Sequence, residues 1–254
     1  MKAENKYSGY YIIYILFIIY SSLIFSKDIL LYTDNMADVF IYGNTYNMLG
    51  ERINVMGILM IAFPNLIMFS LFADSVAIDL EKNAVYIFTR SNKKQKWFLN
   101  KCLKIFTKLV VVDFVFMAFQ LFIFRCIGFK ISSIFELIII IIKILIFKLL
   151  VQYTLILLTN VIAIKFNSIV GYSITCTIYI LSIILFHTLY KYINIYNLPF
   201  TQNYAVLYIL DREAYPFHNI SIYGNVWWPT MCGLIYLAAI IILGNFIIKK
   251  KDFL

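Results

Sequence analysis

The chain has 254 residues, of which 63% are hydrophobic and only 14% charged. A soluble domain averages about 45–50% apolar and about 25% charged residues, so this composition excludes an ordinary soluble enzyme or nucleic-acid-binding domain. The net charge of +9 therefore bears on orientation in a membrane and not on a nucleic acid partner.

A helix needs about 20 mostly apolar residues to cross about 30 Å of hydrocarbon. Six segments meet that need in chain order. The first runs from Tyr10 to Phe25, after Lys2 and Lys6, and no small-x-small cleavage site follows it, so it is expected to be retained. The second, Ile53 to Phe72, contains Pro64, where a kink is expected because proline removes a backbone donor. The third covers Ile105 to Ile127, the fourth Leu137 to Ile164 and the fifth Ile169 to Leu189. The sixth, Val226 to Ile248, includes the pair Trp227 and Trp228. Together they predict a single all-α integral membrane domain over residues 1–254.

Lysine and arginine in the loops set orientation. With the N-terminus inside, thirteen fall on the inner side: Lys2, Lys6, Lys82, Arg90, Lys93, Lys94, Lys96, Lys101, Lys104, Lys165 and Lys249 to Lys251. Six fall on the outer side: Lys27, Arg52, Arg125, Lys130, Lys191 and Arg212. Both termini are therefore expected in the cytoplasm. The outer loop from Ser26 to Arg52 carries Asp28, Asp34 and Asp38. The outer segment 190–225 is rich in tyrosine, and within it Asn203 to Leu210 is apolar enough to be a re-entrant or interfacial helix.

The inner segment 73–104 is basic, and its stretch DLEKNAVYIFTRSNKKQKWFLNKCLKI begins at Asp79. On physical grounds it supports two arrangements. It forms a basic interfacial helix held by anionic lipid and anchored by Trp97 and Phe98. Alternatively, Glu81 to Arg90 forms a short helix offering Val85, Ile87 and Phe88 to a soluble partner, and Lys93 to Lys104 forms a membrane-parallel piece before the third span.

Glu81, the apolar run Val85 to Phe88, the turn Thr89-Arg90-Ser91 and the pair Asn100-Lys101 give this segment a resemblance to the cytoplasmic segment of ABC-2-type transporter permeases. Asn83-Ala84 stands where that family commonly has Gly-Thr, the usual proline before the Ser-Arg turn is absent, and Asn100 replaces a glycine. The resemblance implies a six-helix ABC-2 (type V exporter-like) permease with a coupling helix that docks on an ATPase subunit. Glu81, Val85, Phe88, Arg90, Ser91 and Lys101 would form that coupling surface. The partners implied are ABC ATPase subunits, a second permease as homo- or heterodimer, membrane lipid and a peptide substrate. ATP and magnesium would sit on the ATPase, because this chain has no GxxxxGK[ST] to cradle phosphates. The small size and Ile-rich spans look most like bacterial plasma-membrane permeases for amphipathic or antimicrobial peptides and toxins, such as phenol-soluble modulin exporters and lantibiotic or bacteriocin immunity transporters. Alternatives of other classes are a toxin-immunity or scaffold membrane protein without transport, and a non-ABC channel or carrier.

Three charges fall inside predicted spans: Asp113 in the third, Lys143 and Lys148 in the fourth. Ionisable groups in a span are functional candidates. The two spans are antiparallel and joined by a short loop, so Asp113 is expected to pair with Lys148, as a structural ion pair or as a substrate-contacting or gating charge. Snorkelling to the interface suits Lys143 better. His187 and His218 have no carboxylate at ligand spacing. The cysteines Cys102, Cys126, Cys176 and Cys232 stand at no metal-site or redox spacing, so neither a metal site nor a catalytic residue is expected.

Overall fold

The structure, a computed structural model, describes residues 4–29, 34–45, 55–73, 75–80, 94–189 and 227–250. Among these residues it is built from helices with no strand: α1 Glu4–Ile29, α2 Met36–Thr45, α3 Val55–Phe72, α4 Lys94–Ile127, α5 Ile134–Lys165, α6 Ser168–Leu189 and α7 Trp227–Lys250. A further short helical piece covers residues 75–80. The expected re-entrant piece at Asn203 to Leu210, and the whole segment 190–225, lie outside the described residues.

The distribution of polarity identifies the solvent. Asp113, Gln152, Thr159, Asn160 and Thr175 are fully buried, whereas Val111, Phe114, Phe122, Ile235 and Ile242 are each more than 60% exposed. In water such an exterior would be a large uncovered apolar surface. In hydrocarbon it is the expected face, because only the interior can satisfy polar groups. Four helical stretches are long and apolar enough to cross a membrane: Ala62–Leu80, Lys94–Ile127, Ser168–Leu185 and Trp227–Lys250. A shorter apolar helix covers Tyr11–Leu23. Among the described residues the chain is all-helical, with the long apolar helices of a membrane protein.

Helix α5 is the central post. It packs against α2, α3, α4, α6 and α7, and its buried residues cover most of its circumference from Leu149 to Ile164. Its start is an S-x-x-E capping box, in which the Glu136 amide donates to Ser133 Oγ at 3.3 Å and one orphan donor of the first turn is satisfied. The turn before it is equally well specified. The Phe129 amide donates to Phe124 O and the Gly128 amide to Arg125 O, both at 3.2 Å. This pair of bonds closes α4 as a Schellman motif, with Gly128 supplying the required positive φ of 114°. The buried Phe129 ring stands edge-on to Phe124 at 6.0 Å, the apolar contact that accompanies such a cap.

Two glycines let helices approach closely. A Cβ at Gly171 would stand 2.6 Å from Thr159 O, and one at Gly244 would stand 2.5 Å from the Phe98 ring. Small residues at such crossings bring backbones together in a membrane. The second crossing seats Phe98, at the beginning of α4, onto α7.

Two features differ from the sequence expectation. The outer loop from Ser26 to Arg52 contains α2, whose Met36, Ala37, Val39, Phe40 and Ile41 are buried against the bundle. The basic stretch from Lys94 to Lys104 is no separate membrane-parallel piece but the start of α4, which is unbroken for 34 residues. At 1.5 Å per residue it is about 51 Å long, well beyond the hydrocarbon thickness. Its first turns carry Phe98, Cys102, Ile105 and Leu109 on one buried face, and this i, i+4, i+3 spacing ties them to the bundle instead of to head groups.

Candidate functional site: a buried ion pair beside a polar cavity

Asp113 on α4 and Lys148 on α5 are brought together, with Nζ 3.1 Å from Oδ1. Asp113 is fully buried and the Lys148 side chain is 18% exposed. Tyr14 on α1 lines the same cavity as Lys148 and is buried edge-on to Phe116 with ring centroids 4.0 Å apart. Three helices thus meet at one charged cluster. Coulomb attraction is strong in a low dielectric, and it offsets the large cost of holding either charge away from water. The offset is incomplete, since Oδ2 of Asp113 has no hydrogen-bond partner among the described residues.

Lys148 borders a cavity of about 60 Å³, also lined by Tyr14, Ser21, Asn44, Pro64 and Gln120. Asn44 reaches it from the last turn of α2, donating to Phe40 O at 2.8 Å and to Gln120 Oε1 at 3.4 Å. The start of α2 is tied to the α4–α5 turn. Met36 donates to Lys130 O and Lys130 to Asp34 O, both at 2.8 Å, while Ser132 donates to Asn35 Oδ1 at 2.9 Å. Helix α2 therefore enters the bundle from the end carrying Asp34 and Lys130, and its far end closes on the cavity. Its N-terminus carries an N-x-x-D signature, Asn35 to Asp38, with the Ala37 amide donating to Asn35 Oδ1 at 3.3 Å.

A second polar group hangs from α5 one turn further on. Gln152 Nε2 donates to Asn65 Oδ1 at 2.5 Å, and Asn65 Nδ2 donates to the Tyr179 hydroxyl at 2.6 Å. These bonds join α5, α3 and α6. Two turns beyond, Asn160 holds the break after α3. Its amide nitrogen donates to Phe72 O at 2.8 Å and to Ile156 O at 2.9 Å, and its oxygen accepts from the Val76 amide at 3.0 Å and from Ser75 Oγ at 3.3 Å. The carbonyl left over at the end of α3 and an orphan amide of residues 75–80 are thereby satisfied by one side chain. The chain remains helical through Pro64, and the helix ends at Phe72, before the turn at Ala73.

Of the residues expected to couple to an ATPase, Glu81, Val85, Phe88, Arg90 and Ser91 lie outside the described residues. Lys101 is on α4 and forms an ion pair with Asp79, both side chains being partly exposed. Lys143 is half-buried on α5, five residues before Lys148 and on a different face. Tyr14, Asn44 and Gln120 join the charged cluster without having been marked by sequence. The signal for Asn44 was the capping pattern at Asn35 and Asp38, followed by the apolar run Val39 to Ile41.

No protein-family model, no curated protein and no solved structure matches this chain.

Proposed function

We propose that this chain is the membrane-spanning subunit of an ATP-driven exporter of the ABC-2 type, with six spans and both termini in the bacterial cytoplasm, moving amphipathic or antimicrobial peptides. The observation that supports this reading most is how residues 81–93 are flanked. The Asp79–Lys101 pair joins the two sides of that segment. On one side, Asn160 locks residues 75–76 to α5; on the other, Phe98 is packed against Gly244 of α7. A push on residues 81–93 is therefore delivered to α3, α4, α5 and α7 together, as a coupling element requires. Glu81, Val85, Phe88, Arg90 and Ser91 would meet the ATPase, which would hold ATP and magnesium. Lys101 would brace the segment from behind. An amphipathic peptide already lies in the interface with its apolar face buried, so lateral entry from lipid suits this cargo.

The test is co-purification from detergent, comparing wild type with Glu81→Ala/Arg90→Glu. An ATPase chain should accompany the wild type and be lost from the variant. If wild type brings down no ATPase, the exporter reading falls and the membrane bundle remains.

A further inference from the structure

We propose that the cavity beside Lys148 is a hydrated oxyanion subsite that opens past α2 toward the end of the bundle carrying Asp34 and Lys130. The inference rests on the bundle lying in a membrane and is independent of any ATPase.

The walls argue for water. Space of about 60 Å³ accommodates on the order of four waters, at roughly 15 Å³ of probe-centre volume each. Polar cavities of this kind are wet, whereas dry ones are lined by hydrocarbon. Here an ammonium, two hydroxyl-bearing side chains and two carboxamides make up half of the ten lining residues, the other half being apolar, so water has polar partners on one side of the space.

The sign of the site follows from placement. Lys148 lines the cavity, whereas Asp113 stands behind it, fully buried and outside the lining. The pair is neutral overall, yet it presents its positive end to the cavity. Asp113 pairs with Lys148 from outside the lining, and an ammonium has three donors, so Lys148 has donor capacity for an occupant. Gln120 accepts through its oxygen from Asn44, which leaves its NH₂ as a further donor. An ammonium and an amide N–H converging on one small space are matched by an oxygen anion, a carboxylate or a phosphate. No acidic side chain lines the cavity to oppose this.

Helix α2 determines access. It has only ten residues, too few to span, and its entry end is held to the α4–α5 turn by surface bonds. Its inner end meets the cavity through Asn44 alone among the lining residues. Five α2 residues are buried against the bundle, so the cavity is reached where the inner end of α2, at Asn44, draws back from Gln120.

The experiment uses cysteine labelling in intact cells. Gln120→Cys is introduced into a Cys126→Ser background, since Cys126 is the exposed native thiol among the described residues. A sulfonatoethyl methanethiosulfonate and its trimethylammonium counterpart are applied from outside. The anionic reagent should modify Cys at position 120 about tenfold faster than the cationic one, relative to their ratio on a free thiol, as expected where a one-signed cleft concentrates counter-ions. Because Lys148→Met alone strands Asp113 in the interior, the control is Asp113→Asn/Lys148→Met, which should erase the preference. No outside labelling of folded protein, no charge preference, or a preference that survives the double variant would each overturn the proposal. In proteoliposomes, slowing by a peptide with a free C-terminal carboxylate and not by its amide identifies a peptide carboxylate. Slowing when phosphatidylglycerol replaces phosphatidylcholine identifies lipid phosphate, and protection by neither overturns the oxyanion assignment.

Discussion

Two Lys–Asp pairs in this molecule have the same length, 3.1 Å, and opposite settings. Lys130 and Asp34 are 77% and 68% exposed, while Lys148 and Asp113 are 18% and 0% exposed. Equal geometry does not make them equal in energy. An exposed pair gains little, because water screens it and two long side chains lose freedom. A buried pair is strong only in the sense that neither partner can be left alone. The surface pair fastens α2 to the α4–α5 turn, whereas the buried one holds a cation against a cavity.

The largest expected effect breaks the buried pair on one side. Asp113→Asn or Lys148→Met alone should cost about 3–5 kcal/mol, the usual cost of orphaning a buried charge, and should be seen as lost folded yield and a lower melting temperature in detergent. The double variant should recover most of that loss. Additive effects in the double-mutant cycle would show that the two charges do not depend on one another.

Between the two ion pairs in magnitude stands the neutral chain Gln152–Asn65–Tyr179. Gln152 and Tyr179 are as deeply buried as Asp113, and Asn65 is buried too, so the chain separates the contribution of charge from that of burial. Tyr179→Phe removes the acceptor of Asn65 Nδ2 and should cost about 1 kcal/mol, between the average of about 0.6 and the maximum of about 1.7 for interhelical side-chain bonds in membranes. A loss as large as that of Asp113→Asn would mean that burial of any polar group, and not charge, sets the cost. The assay is the same melt, with the ring contact to Phe69 at 5.4 Å preserved by the phenylalanine.

How much of this was legible in the sequence depends on the length scale of each signal. The long helices follow from runs of about 20 apolar residues, which few other structures accommodate. The Asp113–Lys148 pair follows from the one acidic residue of a span facing the lysines of its antiparallel neighbour, Lys143 being the one better placed to snorkel. Helix α2 was hidden because five buried residues are too short a run to register as a span, and only Asn35 and Asp38 marked its start. The Gln152–Asn65–Tyr179 chain was hidden for another reason. Helices α3, α5 and α6 are apolar all round, so hydropathy does not say which face each turns to its neighbours; Asn65, Gln152 and Tyr179 were the three points that did. The break at Ala73 has the same origin, because Asn160 lies 84 and 88 residues from Val76 and Phe72, which it holds.

The smallest effect is expected at the surface pair, and pH gives its sign. Lys130, through its hydrogen bond and its charge, holds the Asp34 carboxyl below its ordinary value of 3.8. A carboxyl whose folded pKa is lowered contributes its stability above the unfolded value and loses it as pH falls through the folded one. The window is therefore below pH 3.8, well under neutrality. Asp34→Asn should leave the melting temperature at pH 7 almost unchanged, since exposed pairs contribute little. Any difference from wild type should vanish once the medium is acidic enough to protonate Asp34 in the folded state. A pH 7 loss approaching that of Asp113→Asn would break the comparison: the exposed anchor of α2 would then be an energetic centre of the fold on a par with the buried pair.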